Sequence, residues 1–311
     1  MTQSNVDYDA RIYTSFSHLK GLQHKAKRLN FLPRQRSHSI LAGRHGSRLR
    51  GRGLSFEELR DYRPGDDVRT IDWRVTARTG KPHVRVYAEE KDRNALIIVD
   101  QRMSMFFGSS LNMKSVTASE AAALSAYGIL KQGDRVGAVV FDDEAIYAYR
   151  PGKRAGGIEQ IMRQLSECNL ALHSGQRVRQ KMHLNRPLAA AVTLAGSNQL
   201  IIVISDFDEV DESTERHLGE LSSHNDLVLV QVVDPFARAL PQNIQISVSD
   251  GDRQMTLDTR RTQAHERLQE TFRERVDTIK QWPERMRATV MELNTAEDTY
   301  TQMAAALAVG R

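Results

Sequence analysis

Five apolar residues, Ala95 to Val99, run without a break and stop at Asp100. Their length and β-branched content predict a strand buried on both faces, as in a parallel sheet covered by helices. Asp100 then falls at the carboxyl end of the strand, the edge where open α/β sheets bind ligands, with Arg102 and Ser104 just beyond it. The pattern next turns helical from Met113 to Lys131, where Leu124, Tyr127 and Leu130 share an apolar face. Arg135 to Phe141 reads as a second strand. Asp142, Asp143 and Glu144 then turn the chain into Ala145 to Tyr149, an antiparallel partner.

The alternation continues with a helix at about 157–167 and a polar loop holding His173 and His183. Pro187 sits in the first turn of a helix that runs to Leu194. Leu200 to Ile204 is another buried strand, ending at Ser205 and Asp206, and a helix over 213–222 and a strand over 227–233 follow. Residues 244–257 read as a late hairpin around Asp250 and Gly251. From Arg260 to Asn294 the chain reads as a charged helical stretch interrupted near Pro283, and a short alanine-rich helix closes it. Strand and helix in alternation predict an α/β fold: a mostly parallel, Rossmann-like sheet with helices on both faces.

Before Asp100 the pattern is weaker. Ile12, Phe16, Leu19 and Leu22 recur at helical spacing up to a break at Pro33, and Gly43 to Gly53 is too rich in glycine and arginine for a packed element. Pro64 and Gly65 mark a turn, and a second turn over 79–82 leads into a strand over 83–87. Trp73 and a tyrosine among so many charges read as the anchors of a small β-rich subdomain. The expected organisation is a basic helical arm over 1–42, a subdomain over 43–93 with an Arg/Gly-rich loop and a β-hairpin, the α/β domain over 94–240, and a C-terminal hairpin and helices over 241–311.

Charge changes this picture more than overall composition does. The 311 residues are 40% hydrophobic and 27% charged, ordinary for a globular protein. Residues 1–53 carry eleven Lys/Arg against Asp7 and Asp9, a net of +9, which leaves −4 for residues 54–311. The basic stretch with Arg44, Arg48, Arg50 and Arg52 therefore either touches nucleic acid, anionic lipid or an acidic protein surface, or pairs with the chain's own acids. No apolar run reaches the roughly 18 residues of a membrane span and no signal peptide is evident, so a cytoplasmic location is expected. Cys168, the lone cysteine, excludes an internal disulfide and reads as a small buried thiol.

Two resemblances emerge from these residues. Asp100 and Ser104 followed by a helix, the strand pair over 135–149 and a later strand ending in Ser205 and Asp206 resemble the von Willebrand factor A fold. The stretches from Gly51 to Arg60 and from Tyr62 to Trp73, with Ala77 and Arg78, resemble the signature of the bacterial "domain of unknown function 58" family over roughly residues 43–240. That resemblance implies a non-enzymatic interaction module beside a MoxR-type AAA+ ATPase and other von Willebrand factor A proteins, in assembly, maturation or stress response of other proteins.

The von Willebrand factor A resemblance also implies a Mg²⁺ site, built from an Asp-x-Ser-x-Ser strand end, a threonine from a later loop and an aspartate from the next strand end. Here Asp100, Ser104 and Asp206 match, whereas Arg102 stands at the first serine and Arg186 at the threonine position. A guanidinium cannot lose its proton and repels a divalent ion. The expectation is a degenerate, metal-free site in which Arg102 and Arg186 pair with Asp100 and Asp206, with Mg²⁺ binding the other reading. The two aspartates as simple helix caps are a third.

His173 and His183 lack an acid at ligand spacing. Asp66, Asp67 and Asp72, close to Arg63, Arg69 and Arg74, are expected to tie the subdomain together by salt bridges and hydrogen bonds, with Trp73 beside them. Partner contacts are expected at Arg44, Arg48, Arg50 and Arg52 and at the edge formed by Asp100 and Asp206. Nucleic-acid binding through residues 44–52 is the alternative, without the interleaved aromatics of a single-strand platform. No cofactor is expected, and no nucleophile and base assemble in the sequence.

Overall fold

The computed structural model of the chain describes residues 9–29, 54–89, 93–175, 181–238, 245–249, 254–258 and 262–308. The first elements are α1 (Phe16–Gly21), α2 (Gln23–Ala26), β1 (Leu54–Asp61), α3 (Trp73–Thr79), β2 (His83–Glu89), β3 (Asn94–Asp100) and α4 (Lys114–Lys131). Next come β4 (Arg135–Phe141), β5 (Ile146–Gly152), α5 (Ala155–Ala171), α6 (Asn185–Leu194), β6 (Leu200–Ser205), α7 (Glu212–Ser223), β7 (Asp226–Val233) and α8 (Pro235–Arg238). The last are β8 (Gln245–Ser249), β9 (Gln254–Asp258), α9 (Thr262–Met286), β10 (Thr289–Asn294) and α10 (Thr299–Ala308). The chain divides into two compact units, residues 1–33 with 93–311, and residues 34–92.

The larger unit is built on a six-stranded sheet of order β10-β7-β6-β3-β4-β5. All neighbours are parallel except β4 and β5, which pair antiparallel. Gly137 of β4 lies so close to β5 that a Cβ there would sit 2.5 Å from the Tyr149 carbonyl oxygen. Numbered within this sheet the order is 3-2-1-4-5-6, the doubly wound arrangement. Its switch point lies between β3 and β6, whose carboxyl ends carry Asp100 and Ser205–Asp206.

Alternation along β3 divides the core. Ala95, Ile97 and Val99 pack with α4, α5, α10 and the N-terminal helices on one face, and Leu96 and Ile98 pack with α6, α7 and α9 on the other. The strand is buried from Ala95 to Asp100, as its unbroken apolar run predicts.

Three expectations change. Residues 9–29 are not an arm separate from the α/β body, because Leu19, Leu22, Ala26 and Leu29 are buried in its main core against α4 and α5. Pro283 does not interrupt α9; it lies in the last turn, where the helix is about to end. Residues 289–294, read as helical, form β10 at the sheet's edge, with Met291 and Leu293 buried, so the α/β domain extends well beyond residue 240. The late hairpin is present as β8 and β9; its tip at Asp250 and Gly251 lies outside the described residues.

In the smaller unit β1 and β2 pair antiparallel, joined not by a tight hairpin but by a segment holding a 3-10 turn (Val68–Thr70) and α3. Gly80 ends α3 in the left-handed conformation, with φ 72°.

Candidate functional site

At the sheet's switch point each acid has a cation of its own. Asp100 is fully buried and Arg102 is 4% exposed. The Arg102 guanidinium forks onto the carboxylate, Nε 3.0 Å from Oδ1 and Nη2 2.8 Å from Oδ2, while the Arg102 amide donates to Oδ1 at 2.9 Å. Ser205 Oγ donates to Oδ2 at 2.6 Å, and Arg102 Nη1 donates to the Met182 carbonyl at 2.9 Å. The ring of Phe141 lies 5.8 Å from the guanidinium carbon. Burial would lower the Arg102 pKa, but the charge and hydrogen bonds of Asp100 together with the charges of Asp206 and Asp143 raise it. A buried pair with this many partners is costly to break, about 3–5 kcal/mol when one member is removed.

Asp206, 4% exposed, is met by Lys114, whose Nζ lies 2.6 Å from Oδ2. Oδ1 accepts from the Asp208 amide at 3.1 Å and lies 4.0 Å from Arg102 Nη2. Burial would raise the Asp206 pKa, yet the charges of Lys114 and then Arg102 hold it well below the usual carboxylate range. Phe207 follows in the left-handed region at φ 52°, its amide donating to Ser205 Oγ at 2.9 Å. Its ring meets Trp282 of α9 edge-on at 5.3 Å, which fixes this uncommon backbone from the far side. Arg275 of α9 pairs with Asp208.

Asp143 closes the network. Its carboxylate accepts from the Met103 amide at 2.6 Å and the Met182 amide at 3.3 Å, and burial raises its pKa. The turn after β3, the turn after β4 and the loop before α6 are thereby tied together.

Several expected residues take other places. Arg186 is exposed and does not reach either aspartate; Lys114 fills the role expected of it, because the start of α4, not α6, comes beside the β6 loop. Asp100 and Asp206 offer no carboxylate to a partner, since both are buried and engaged internally. Neither caps a helix: α7 is capped by Asp211 and α4 begins at Met113 with no side-chain cap. Ser104 lies in the 3-10 turn after Arg102, and its hydroxyl is buried without a hydrogen bond. Arg44, Arg48, Arg50 and Arg52 lie outside the described residues.

In the smaller unit the three aspartates do act as ties, Asp66 and Asp72 with other arginines and Asp67 through a backbone amide alone. Asp66 takes Arg60 through both oxygens at 2.8 Å, and Asp72 takes Arg85 Nε at 2.8 Å and Nη2 at 2.6 Å. Arg63, Arg69 and Arg74 contribute only backbone amides, to Asp66, Asp67 and Asp72 in turn. Trp73 is 69% exposed, so its side chain is no buried anchor.

Lys114 and Asp143 escape sequence reasoning. One signal for Lys114 exists: a lysine in the first turn of a helix opposes the macrodipole and calls for a carboxylate partner. Asp143 reads only as a turn residue.

The residues do not fit the divalent ion that the von Willebrand factor A resemblance implies. Such an ion needs free anionic oxygens, and here both Asp100 oxygens face Arg102 while Asp206 faces Lys114. Among the described residues no three His, Cys, Asp or Glu side chains converge at metal-ligating spacing, and His173 and His183 are exposed. Cys168 is buried, and burial pushes its thiol up to about 12.

No helix among the described residues is long and apolar enough to cross a membrane. Uncharacterized proteins of Mycobacterium tuberculosis and Mycobacterium bovis are each 28% identical to the chain over 230 residues, 72% of this chain and 69% of theirs. Among solved structures the chain is similar to a von Willebrand factor type A protein from Catenulispora acidiphila, at 13% identity and a TM-score of 0.36. That match covers 72% of this chain and 44% of the other, so the chain spans less than half its length. An uncharacterized membrane spanning protein from Vibrio fischeri is similar at 14% identity and a TM-score of 0.24, over 70% of this chain and 97% of that one. At these scores the fold rests on the strand order itself. The family described as "Protein of unknown function DUF58" has a model that matches residues 58–278, most of the chain, and the chain belongs to that family.

Proposed function

We propose that this chain is a non-enzymatic interaction module in the cytoplasm, working beside a MoxR-type AAA+ ATPase in the assembly, maturation or stress response of other proteins. The observation that carries the reading is Trp73. It is 69% exposed, and Val68, five residues before it, is 59% exposed. Arg63, Arg69, Arg74 and Arg78 lie in the same stretch and enter no ion pair among the described residues. Tryptophan and arginine dominate the energetics of protein interfaces, and tryptophan left in water marks a contact surface more than a scaffold. Against catalysis, the acids at the sheet edge are consumed by their own cations and the Cys168 thiol is protonated at neutral pH.

The test is recovery from nuclease-treated native lysate with the tagged chain, with and without ATP. The wild type should retain an AAA+ ATPase, and Trp73→Ala should lose at least tenfold of it while unfolding within about 0.5 kcal/mol of wild type, as expected for an exposed side chain. An Arg48→Ala/Arg50→Ala/Arg52→Ala variant reports on the basic stretch in the same assay. Equal recovery with Trp73→Ala removes this surface from the interaction, and nucleic acid before nuclease with no protein after it overturns the reading.

A further inference from the structure

A divalent ion at the carboxyl edge of such a sheet would do two things. It would neutralise the two buried acids, and it would hold the loops after β3 and β6 in one arrangement. In this chain both tasks are visibly done by side chains. Arg102 neutralises Asp100 and, through the Met182 carbonyl, reaches the loop before α6. Lys114 neutralises Asp206 and ties the start of α4 to the β6 loop. Ser205 Oγ joins the two halves, accepting from the Phe207 amide while donating to Asp100. The Ser104 hydroxyl, at a position a metal would use, is left buried with no partner.

We propose that Arg102 and Lys114 are a built-in replacement for a divalent cation, fixing the edge in one arrangement that neither needs nor admits Mg²⁺. The two cations bring the same number of positive charges as the ion, but they are covalently attached and cannot be chelated. Arg102 cannot be deprotonated, and its planar fork fixes direction as well as charge. Lys114 is the looser of the two: its ammonium has one carboxylate partner, and its side chain is the more exposed, at 13% against 5%.

The experiment is thermal unfolding and titration calorimetry of the full chain with Mg²⁺, and with EDTA as the reference. It needs no partner, so its failure is distinct from failure of the interaction reading above. Wild type should melt at the same temperature in both and give no stoichiometric heat. Arg102→Ser/Lys114→Ala should melt several degrees lower in EDTA and regain at least half of that loss in millimolar Mg²⁺, but not in NaCl of equal ionic strength. Should the double variant not fold in EDTA, recovery of folded double variant on refolding from denaturant in millimolar Mg²⁺, against EDTA with NaCl of equal ionic strength, is read in the same way, and no recovery in Mg²⁺ counts against the proposal. One-to-one Mg²⁺ binding by wild type, abolished in Asp206→Asn, would overturn the proposal. So would a folded variant whose lower melting temperature Mg²⁺ does not raise, or one that melts like wild type in EDTA.

Discussion

Asp66 gathers the turn of the smaller unit around one carboxylate, taking the Arg60 guanidinium through both oxygens and the Arg63 amide at 2.8 Å. Arg60 first, then the Arg63 amide, hold its carboxyl at about 2. A carboxyl whose folded pKa lies below its unfolded value of ~3.9 stabilises the fold above that value and loses the effect as pH falls through the folded one. A carbon-detected NMR titration should therefore place the Asp66 midpoint near 2. Arg60→Ala should return it toward the ordinary range, and an ordinary midpoint in wild type would refute the pairing. That these aspartates act as ties is legible in the sequence; which cations they choose is not. Arg63, Arg69 and Arg74 are neighbours along the chain, but a turn or cap brings their amides, not their guanidinium groups, to the acid. Arg60 and Arg85 stand on the strands instead. The same lesson holds at Asp206, where Lys114 arrives from a different loop than the one the arginines pointed to.

Elements with a clean period are legible, and those whose apolar face is short are not. From Asn94 to Val233 the strands and helices fall where the pattern puts them: β3, β4 and β6 each bury an almost unbroken run, and β5, which buries no residue fully, is announced by the acidic turn before it. β10 does not, since only Met291 and Leu293 are buried in it and Glu292 between them is exposed, a pattern that blends into the charged helix before it. Being buried matters more than being brief. Leu293→Ala should cost about 2–5 kcal/mol in denaturant unfolding of the larger unit, as for other core leucines. Leu19→Ala in α1 should cost a similar amount, although it lies in a segment that reads as a detachable arm. A loss below about 0.5 kcal/mol at either site would show that its element is not part of the core.

Across the whole molecule the two units differ in what they bury. β3 has a neighbour on both sides and apolar layers on both faces, whereas Val84 is the one buried apolar side chain among the described ones of the smaller unit. A two-stranded sheet on its own is marginal in water. Amides of Ala95 to Val99 should exchange with solvent only through global unfolding, and those of β1 and β2 through local opening at lower free energy. Equal protection in native-state hydrogen exchange would contradict this. At this scale the layered α/β architecture is legible, because alternation dictates it; the placement of residues 9–29 is not, because a few apolar positions at helical spacing do not say which face they cover.

The packing of α1, α2 and α10 on α4 also bears on the order in which the emerging chain can fold. A ribosome delivers residues 9–29 first, but the surface they cover does not exist until α4 and α5 have emerged, and the same layer stays open until α10 follows. At about 5–20 residues per second, the earliest helices wait for many seconds without their partners. During that time Leu19, Leu22 and Leu29 are exposed to whatever else binds apolar surface. That layer of the larger unit is covered only when β10 takes its place at the sheet's edge and α10 settles on α4.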